Sequence, residues 1–217
     1  MFQLNRANIA YGDQVALRNI SLHIEAGERV AFIGPSGAGK TTLLKTLYEQ
    51  RPQDASFVHQ HYALVPQLTA FHNVYMGRLD RYSVWKNLHN LVWPRRDTKT
   101  EILPLLDDFG LASFAFQRVG ALSGGQQQRT AIARAIYRDS DVMFADEPVS
   151  SVDPHQAGMV LERIMKSQQT VILSLHAVEL ALEFAQRIIG LRLGSITFDL
   201  PANQVSPSHL ARLYQPC

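Results

Sequence analysis

The sequence predicts an α/β fold built on a mostly parallel sheet, with a small antiparallel β-subdomain and an inserted α-helical subdomain. Residues 142–191 alternate short apolar runs with helical patterns, which is typical of a parallel sheet covered by helices on both faces. A glycine-rich loop at residues 34–39 separates an apolar run from a helical pattern. Residues 65–135 are mainly helical in pattern, and we expect them to form the insertion. The core of this single domain then comprises about residues 1–64 and 136–217.

An antiparallel strand pair is predicted at the start of the chain. Residues 1–25 alternate apolar and polar positions, and Tyr-Gly-Asp-Gln at residues 11–14 supplies a turn between the two runs. This pattern predicts two strands with one solvated face. A further short strand is predicted at residues 56–60.

A phosphate-binding P-loop is predicted directly after the apolar run at residues 29–33. Its residues fit the pattern G-x-x-x-x-G-K-[ST] and lead into a helical pattern; they are Gly34, Pro35, Ser36, Gly37, Ala38, Gly39, Lys40, Thr41 and Thr42. Glycines let successive N–H groups point at phosphate oxygens, and the helix adds its positive N-terminal end. Lys40 is placed to reach the outer phosphates, and Thr41 offers a hydroxyl to Mg²⁺. The simpler alternative is a flexible glycine turn.

The rest of the chain divides into predicted helices and strands. In the inserted block, helices are predicted at residues 70–76, 84–92, 98–109 and 123–137. The later strands are predicted at residues 142–145, 170–175 and 188–191, and the later helices at residues 156–165 and 177–184 and within residues 201–217.

Composition excludes several classes of protein. The 217 residues carry 21 basic and 19 acidic side chains, a net charge of +2, which argues against binding driven by nucleic-acid phosphates. The only cysteine is Cys217, so an internal disulfide is excluded and a reducing cytoplasm fits. No signal-peptide layout is found, and no apolar run approaches the ~18–20 residues that a membrane span requires. Any work at a membrane would therefore need a membrane-spanning partner.

Two carboxylates follow the apolar run at residues 142–145. Asp146 and Glu147 would stand at the C-terminal end of a parallel strand, where ligands of open α/β sheets bind. There Asp146 would hold Mg²⁺, directly or through water, and Glu147 would orient and deprotonate an attacking water. The alternative, two solvated acids at a strand end, is less favoured beside a P-loop.

A second anion site is predicted at residues 122–129, Leu-Ser-Gly-Gly-Gln-Gln-Gln-Arg. Gly124 and Gly125 expose backbone N–H groups at a helix start. Ser123 with Gln126 fits a capping box, so an ordinary helix N-cap is the alternative. Because one chain needs only one γ-phosphate cradle, a second one suggests that it serves the nucleotide of another chain.

Over essentially its whole length, the sequence resembles the ATP-binding subunits of ATP-binding-cassette (ABC) transporters. Residues 34–41 match Walker A, residues 122–126 the signature and residues 142–146 Walker B, in the family's order. The resemblance implies a P-loop NTPase (RecA-like) core, an ABC ATPase, that uses ATP and Mg²⁺. It also implies an ATP-dependent, head-to-tail homodimer. Each nucleotide would lie between the P-loop of one chain and Ser123, Gly124, Gly125 and Gln126 of the other.

The resemblance assigns four further residues. Tyr11 matches the aromatic that stacks on adenine, although a buried structural tyrosine would look the same. Gln60 matches the Q-loop glutamine, which reaches Mg²⁺ and water and reports the nucleotide state to the transmembrane partner. Asp153, with Ser-Ser-Val before it, matches the D-loop across the dimer interface. His176 matches the switch histidine at the γ-phosphate, where a lone histidine would otherwise be structural.

The chain departs from the family between Lys40 and Gln60, which are 20 positions apart. The family usually places a further antiparallel strand and turn there, and residues 51–54 are too short for it. We therefore expect a reduced antiparallel β-subdomain. The departure affects peripheral packing more than chemistry.

Within the family, the inserted block most resembles phosphonate importers. The segments that carry this resemblance are residues 59–64, 73–79, 83–88 and 175–182, with Tyr62, Asn73, Gly77, Arg78 and Trp85 prominent among them. Packing residues shared by several importer branches are the alternative. The resemblance implies import of a phosphonate or a related phosphorus oxyanion through a separate permease, with a solute-binding protein acting indirectly.

The leading hypothesis is therefore a Mg²⁺-dependent ATPase at the cytoplasmic face of the membrane that powers import and binds no nucleic acid. One alternative is an ABC ATPase without a transport role, such as an accessory subunit in phosphonate metabolism, and another is an importer of a different solute. A nucleotide-regulated binding module without catalysis is disfavoured because Lys40, Asp146, Glu147 and His176 occur together. The sequence does not identify the solute, the direction of transport or the dimer affinity.

Overall fold

The computed structural model describes residues 1–12 and 14–215. The argument about disulfides rests on Cys217, which lies outside these described residues. The described chain forms a two-stranded sheet and a six-stranded sheet.

The six-stranded sheet is mostly parallel, as predicted. Its strands are β3 (Arg29–Ile33), β4 (Ala55–Val58), β5 (Val142–Asp146), β6 (Thr170–Ser174), β7 (Arg187–Arg192) and β8 (Ser195–Pro201). Their spatial order is β4-β5-β6-β3-β7-β8, and only the β7–β8 pair among these described strands is antiparallel. The strand that precedes the P-loop, β3, therefore lies between β6 and β7 and is paired on both sides.

The sequence did not predict β8. This strand forms the edge of the sheet, and its residues are half-buried or exposed, so it lacks the apolar run that identified the other strands. Leu193 and Gly194 connect it to β7, and both have positive φ angles, 50° and 78°. Two positive φ angles are typical of a two-residue hairpin turn. The sequence pattern that predicts such a turn has asparagine, aspartate or glycine in the first position, and this chain has leucine there.

The antiparallel subdomain is reduced to two strands in the described part of the chain. They are β1 (Phe2–Tyr11) and β2 (Gln14–Ile24), which pair from Phe2 opposite Ile24 to Tyr11 opposite Gln14 with register shifts between Leu4 and Ala10. Between helix α1 (Lys40–Tyr48) and β4, residues 49–54 only turn, held by an ion pair of 2.7 Å between Arg51 and Asp54. The short segment after the P-loop helix thus adds no strand.

Alternate side chains of the parallel strands pack into two separate cores. On β3, Ala31 and Ile33 belong to the core beneath most of the helices, whereas Val30 and Phe32 face the core shared with α1 and the β1–β2 pair. Successive side chains of a strand point to opposite faces of the sheet, so a sheet that is covered on both faces buries both sets of side chains.

The remaining helices cover the sheet or form the inserted block. They are α2 (Ala70–Tyr75), α3 (Val84–Val92), α4 (Arg96–Asp108), α5 (Gly124–Tyr137), α6 (Pro154–Ser167), α7 (Val178–Phe184) and α8 (Pro207–Tyr214). None of the helices described here combines the length and the hydropathy needed to cross a bilayer.

Candidate active site

Segments that follow four neighbouring strands meet in one cleft of about 640 Å³. Residues 36–42 line its floor after β3, and Gln60, Glu147 and His176 reach it from the ends of β4, β5 and β6. Because the carboxyl ends of parallel strands share one edge of a sheet, these distant residues become neighbours. The first residues of β2 and the β7–β8 turn complete the lining. They are Gln14, Val15, Ala16 and Arg18 of β2 and Leu193 and Gly194 of the turn.

Lys40 is the buried cation in the cleft lining and is only 5% exposed, whereas Arg18 at the rim is exposed. Its Nζ donates hydrogen bonds to the carbonyls of Gly34 at 2.7 Å and Pro35 at 3.1 Å, which ties the P-loop around the ammonium group. Burial lowers the pKa of Lys40, while the nearby carboxylates of Glu147 and Asp146 oppose that shift. The carbonyl partners and the two acids thus keep a positive charge at the point where an anionic ligand would bind.

The P-loop is fixed in place by a junction of three segments. Gly39 has a φ of 100°, and a Cβ there would lie 2.7 Å from Leu17 and 3.0 Å from the carbonyl of Ala16 on β2. A Cβ on Gly194, in the β7–β8 turn, would lie 2.6 Å from the same carbonyl. The amide of Gly194 also donates to the carbonyl of Ala38 at 3.2 Å. The loop, β2 and the hairpin therefore touch backbone to backbone, which only glycine permits at such distances.

Asp146 and Thr41 form an oxygen-rich corner of the site. The Thr41 hydroxyl donates to one carboxylate oxygen of Asp146 at 2.8 Å, and the Ser174 hydroxyl donates to the other at 2.7 Å. Magnesium prefers hard oxygen ligands and usually takes one or two carboxylates plus substrate phosphates. The described residues contain no cluster of three or more acidic, histidine or cysteine side chains that could cage a metal. Thr41 and Asp146 thus suit Mg²⁺ bound together with a nucleotide.

Glu147 is held by three residues at the ends of its two neighbouring strands, β4 and β6. Its carboxylate lies 2.6 Å from Nε2 of His176 and accepts a hydrogen bond of 3.4 Å from the amide of Gln60. Its backbone N–H donates to Ser174 Oγ at 3.0 Å. The residue has a φ of 51°, in the left-handed region that is strained for most side chains and frequent at functional sites. The carboxylate therefore has a fixed position at the cleft, 13% exposed, where a water could reach it.

Two residues that sequence reasoning missed support these acids. Ser174, the last residue of β6, contacts both Asp146 and Glu147. Gln128 is buried on α5, where its side chain donates to the carbonyl of Glu147 at 3.0 Å and accepts from the amide of Ser151 at 2.9 Å. Gln128 is the third of three consecutive glutamines, and the sequence alone does not show which one faces inward.

The signature residues do not line this cleft. Ser123 and Gln126 form the predicted capping box, with bonds of 2.9 and 3.3 Å, at the start of α5. Gly125 approaches the carbonyl of Ser151, which would lie 2.9 Å from an added Cβ, and Gly124 lies near the same residue. Asp153 caps α6 through the amide of His155 at 2.9 Å.

Tyr11 is also absent from the cleft lining. It is 61% exposed at the end of β1, opposite Gln14, which does line the cleft. An adenine ring would have to extend beyond the cleft to stack on it.

Several residues that carried the phosphonate-importer resemblance pack within the chain. Asn73 is fully buried and bonds the backbone of Val65 at 2.8 and 3.1 Å, and an added Cβ on Gly77 would lie 2.6 Å from the carbonyl of Arg134. The guanidinium carbon of Arg78 lies 4.3 Å from the ring centre of Tyr137. Their roles in the described chain are thus in packing.

Comparisons of the sequence agree on one family. The family model described as ABC transporter matches residues 17–150. A relative from Pseudomonas aeruginosa (strain UCBPP-PA14), the phosphonates import ATP-binding protein PhnC 2, is 40% identical over 97% of this chain and 90% of its own length. The phosphonates import ATP-binding protein PhnC of Anaeromyxobacter dehalogenans is 38% identical over 98% of this chain. This chain spans 48%, about half, of that second relative.

Comparison with solved structures agrees with the sequence relationship. A dimeric post-hydrolysis state of the ATP-binding cassette MJ0796, bound to ADP and Pi, matches 93% of this chain with a TM-score of 0.79 and 27% identity. Another dimeric structure of MJ0796, described as a bacterial ABC transporter cassette, matches with a TM-score of 0.80 and 28% identity.

Proposed function

Because the chain belongs to the ABC transporter family, we propose that it is the ATP-hydrolysing subunit of an importer whose solute is a phosphonate or a related phosphorus oxyanion. The observation that carries the catalytic part is the convergence of Lys40, Asp146 and Glu147 on one cleft. The relatives named above, which are phosphonate import proteins, support the choice of solute. The subunit would act at the cytoplasmic face of a membrane, bound to a permease.

The cleft explains how this chain would hydrolyse ATP. The P-loop amides and the Lys40 ammonium would bind the β- and γ-phosphates. Bound Mg²⁺, held by Thr41 and Asp146, would neutralise phosphate charge. The Glu147 carboxylate would accept a proton from the water that attacks the γ-phosphorus, while His176 and Gln60 fix the direction of that carboxylate. Terminal phosphate and ADP are the products.

The signature would complete the site of a second copy of this chain. Residues 123–126 begin α5 outside the cleft of their own chain. The capping box uses the N–H groups of Ser123 and Gln126, and those of Gly124 and Gly125 have no partner within the helix. A two-fold dimer would bring them to the γ-phosphate of the partner, because an isologous interface places the same two surfaces together twice. The dimeric form of the similar cassette MJ0796 supports this arrangement.

A dimer that depends on nucleotide is the expected result for Glu147→Gln, which should retain ATP. Light scattering should give the monomer mass without ATP and twice that mass with Mg²⁺ and ATP. In the double variant Glu147→Gln/Gly124→Asp, the new side chain has room, because an added Cβ would lie 3.8 Å from the nearest atom, and its carboxylate would lie beside the partner's phosphate and should prevent dimerisation. An unchanged mass for Glu147→Gln with saturating ATP would contradict the head-to-tail proposal.

An apolar groove in the inserted block would receive the permease. Its volume is about 300 Å³, and apolar side chains of α2, α3 and the turn between them dominate its lining. The lining residues are Leu68, His72, Tyr75, Met76, Leu79, Val84, Asn87, Leu88 and Leu91. A helix with an apolar face fits such a groove, and it would link nucleotide state to the membrane partner.

Growth on a phosphonate as the sole phosphorus source tests the proposed solute. Deletion of the gene should stop growth on phosphonate but not on phosphate, and the wild-type chain should restore it. Lys40→Ala should fail to restore growth because it removes the phosphate-binding cation, whereas Lys45→Ala, an exposed lysine on the same helix, should succeed. Normal growth of the deletion strain, with uptake of an unrelated solute lost, would refute the phosphonate assignment and leave the ATPase assignment standing.

A further inference from the structure

Both tryptophans of the chain lie exposed at α3. Trp85 is 82% exposed and Trp93, at the C-terminal end of the helix, is 74% exposed. Val92, the last residue of α3, is 79% exposed. A monomeric soluble protein rarely leaves large apolar side chains clustered in this way unless they contact something. We call these three residues the tryptophan patch.

One side of α3 is anchored firmly to the inserted block. Asn90 is fully buried and donates to the Tyr75 hydroxyl at 3.2 Å, and Lys86 lies 3.7 Å from the ring centre of Tyr82. A helix held on one side by buried polar contacts presents its opposite side in a fixed orientation. The exposure of the tryptophan patch is thus set by packing.

The tryptophan patch is separate from the proposed permease groove. Val84, Leu88 and Leu91 line that groove, whereas Trp85, Val92 and Trp93 do not. Successive helical residues are rotated by about 100°, so Trp85 and Val92, seven positions apart, project from one side of α3, next to the groove side. A permease helix in the groove would leave this second side uncovered.

Basic side chains border the tryptophan patch. Residues 94–99, directly after Trp93, contain Arg95, Arg96 and Lys99, with Asp97 as the single acid. Arg95 is half-exposed and pairs with Asp97 at 3.2 Å, and Arg96 is exposed. Indole rings and basic side chains together suit the interface of a bilayer with anionic headgroups, where indoles lie at headgroup level and cations bind lipid phosphates.

We propose that the tryptophan patch binds the surface of an anionic lipid bilayer. The basic residues beside the patch favour an anionic bilayer over a second copy of this chain, because two identical basic surfaces would repel each other. The contact goes beyond the proposed function, since it needs neither a permease nor ATP. It would hold the subunit close to the membrane with the permease groove beside the lipid surface.

The two tryptophans are themselves the probe of this contact. Adding vesicles of phosphatidylglycerol and phosphatidylcholine to the purified chain should shift the tryptophan emission to the blue and should sediment the protein. Vesicles of phosphatidylcholine alone should give a much smaller effect. Because each basic residue near a charged surface contributes about 1 kcal/mol, Arg95→Glu/Arg96→Glu should lower vesicle binding at least about tenfold.

Single substitutions distinguish insertion of the tryptophan patch into the bilayer from non-specific binding of exposed apolar side chains to vesicles. Trp85→Ser should weaken sedimentation with anionic vesicles, and its remaining Trp93 should still report any shift. Met159→Ser, which removes a side chain 60% exposed on α6, should bind vesicles like the wild-type chain. ATPase activity and the melting temperature should match wild type in all these variants.

Three results would overturn the proposal. They are no shift with anionic vesicles, equal binding to neutral and anionic vesicles, and a blue shift that depends on protein concentration without lipid. The last would assign the tryptophan patch to contact between copies of the chain. None of them would affect the assignment of the ATPase site.

Discussion

Glu147→Gln is expected to bind ATP normally and to hydrolyse it at least about 10² times more slowly, the range typical for loss of a general base. Glutamine keeps the size of the side chain, and its single amide oxygen can still accept from one of the two partners of the native carboxylate, His176 at 2.6 Å or Gln60 at 3.4 Å. It cannot accept a proton from the attacking water. Single-turnover hydrolysis of ATP in excess enzyme measures the chemical step without product release.

The matched control is Glu183→Gln, the same chemical change at an exposed position of α7. It should hydrolyse ATP at the wild-type rate. A Glu147→Gln enzyme with wild-type turnover in a preparation free of contaminating ATPase would remove Glu147 from the role of base. Loss of ATP binding in the same variant would instead indicate damage to the cleft.

Lys40→Ala is expected to weaken ATP binding at least about tenfold and to remove measurable turnover. The ammonium group forms charge-assisted hydrogen bonds, each worth about 1.5–3 kcal/mol, and alanine replaces none of them. The variant also leaves the Gly34 and Pro35 carbonyls without the donor that now ties the loop. Equilibrium titration with a fluorescent ATP analogue measures the affinity, and thermal unfolding measures the stability lost with the loop contacts.

Lys45→Ala tests whether this effect is local. Lys45 lies on the same helix, one and a half turns further on, and is exposed. Its loss should change the affinity for ATP by less than twofold, since exposed charges contribute little. Equal losses in the two lysine variants would show that the charge of α1 as a whole, and not the P-loop lysine, attracts the nucleotide.

Most of the fold could be predicted because its strands and helices are marked by patterns of neighbouring residues in the sequence. The apolar runs of β3, β5 and β6 are short, continuous and bounded by polar residues, and the structure has strands at all three. β8 was missed because half-buried edge strands lack such a run. The antiparallel pair was predicted from the alternation of apolar and polar residues, and its reduction to two strands from a comparison of spacing with the family.

The site could be predicted where chemistry resides in consecutive residues and not where it depends on strand register. The P-loop and Asp146-Glu147 are contiguous motifs, so residue types and spacing identify them. Ser174 reaches Asp146 only because β5 and β6 pair with these two residues side by side. Neither an intrinsic preference nor a motif marks that serine. Gln128 was missed for the same reason, since its partner lies on a distant loop.

The three-segment junction at the P-loop depends on segments that the ribosome makes at different times. The loop is held by β2, which precedes it in the sequence, and by Gly194, which follows it only after the inserted block and four further strands. While the ribosome is still producing the inserted block, a nascent chain contains every Walker A residue but lacks the hairpin that fixes them. Contacts between segments so far apart in sequence form late, because the intervening chain must be ordered first. We therefore expect nucleotide binding only after the β7–β8 hairpin has been made and has folded against the P-loop.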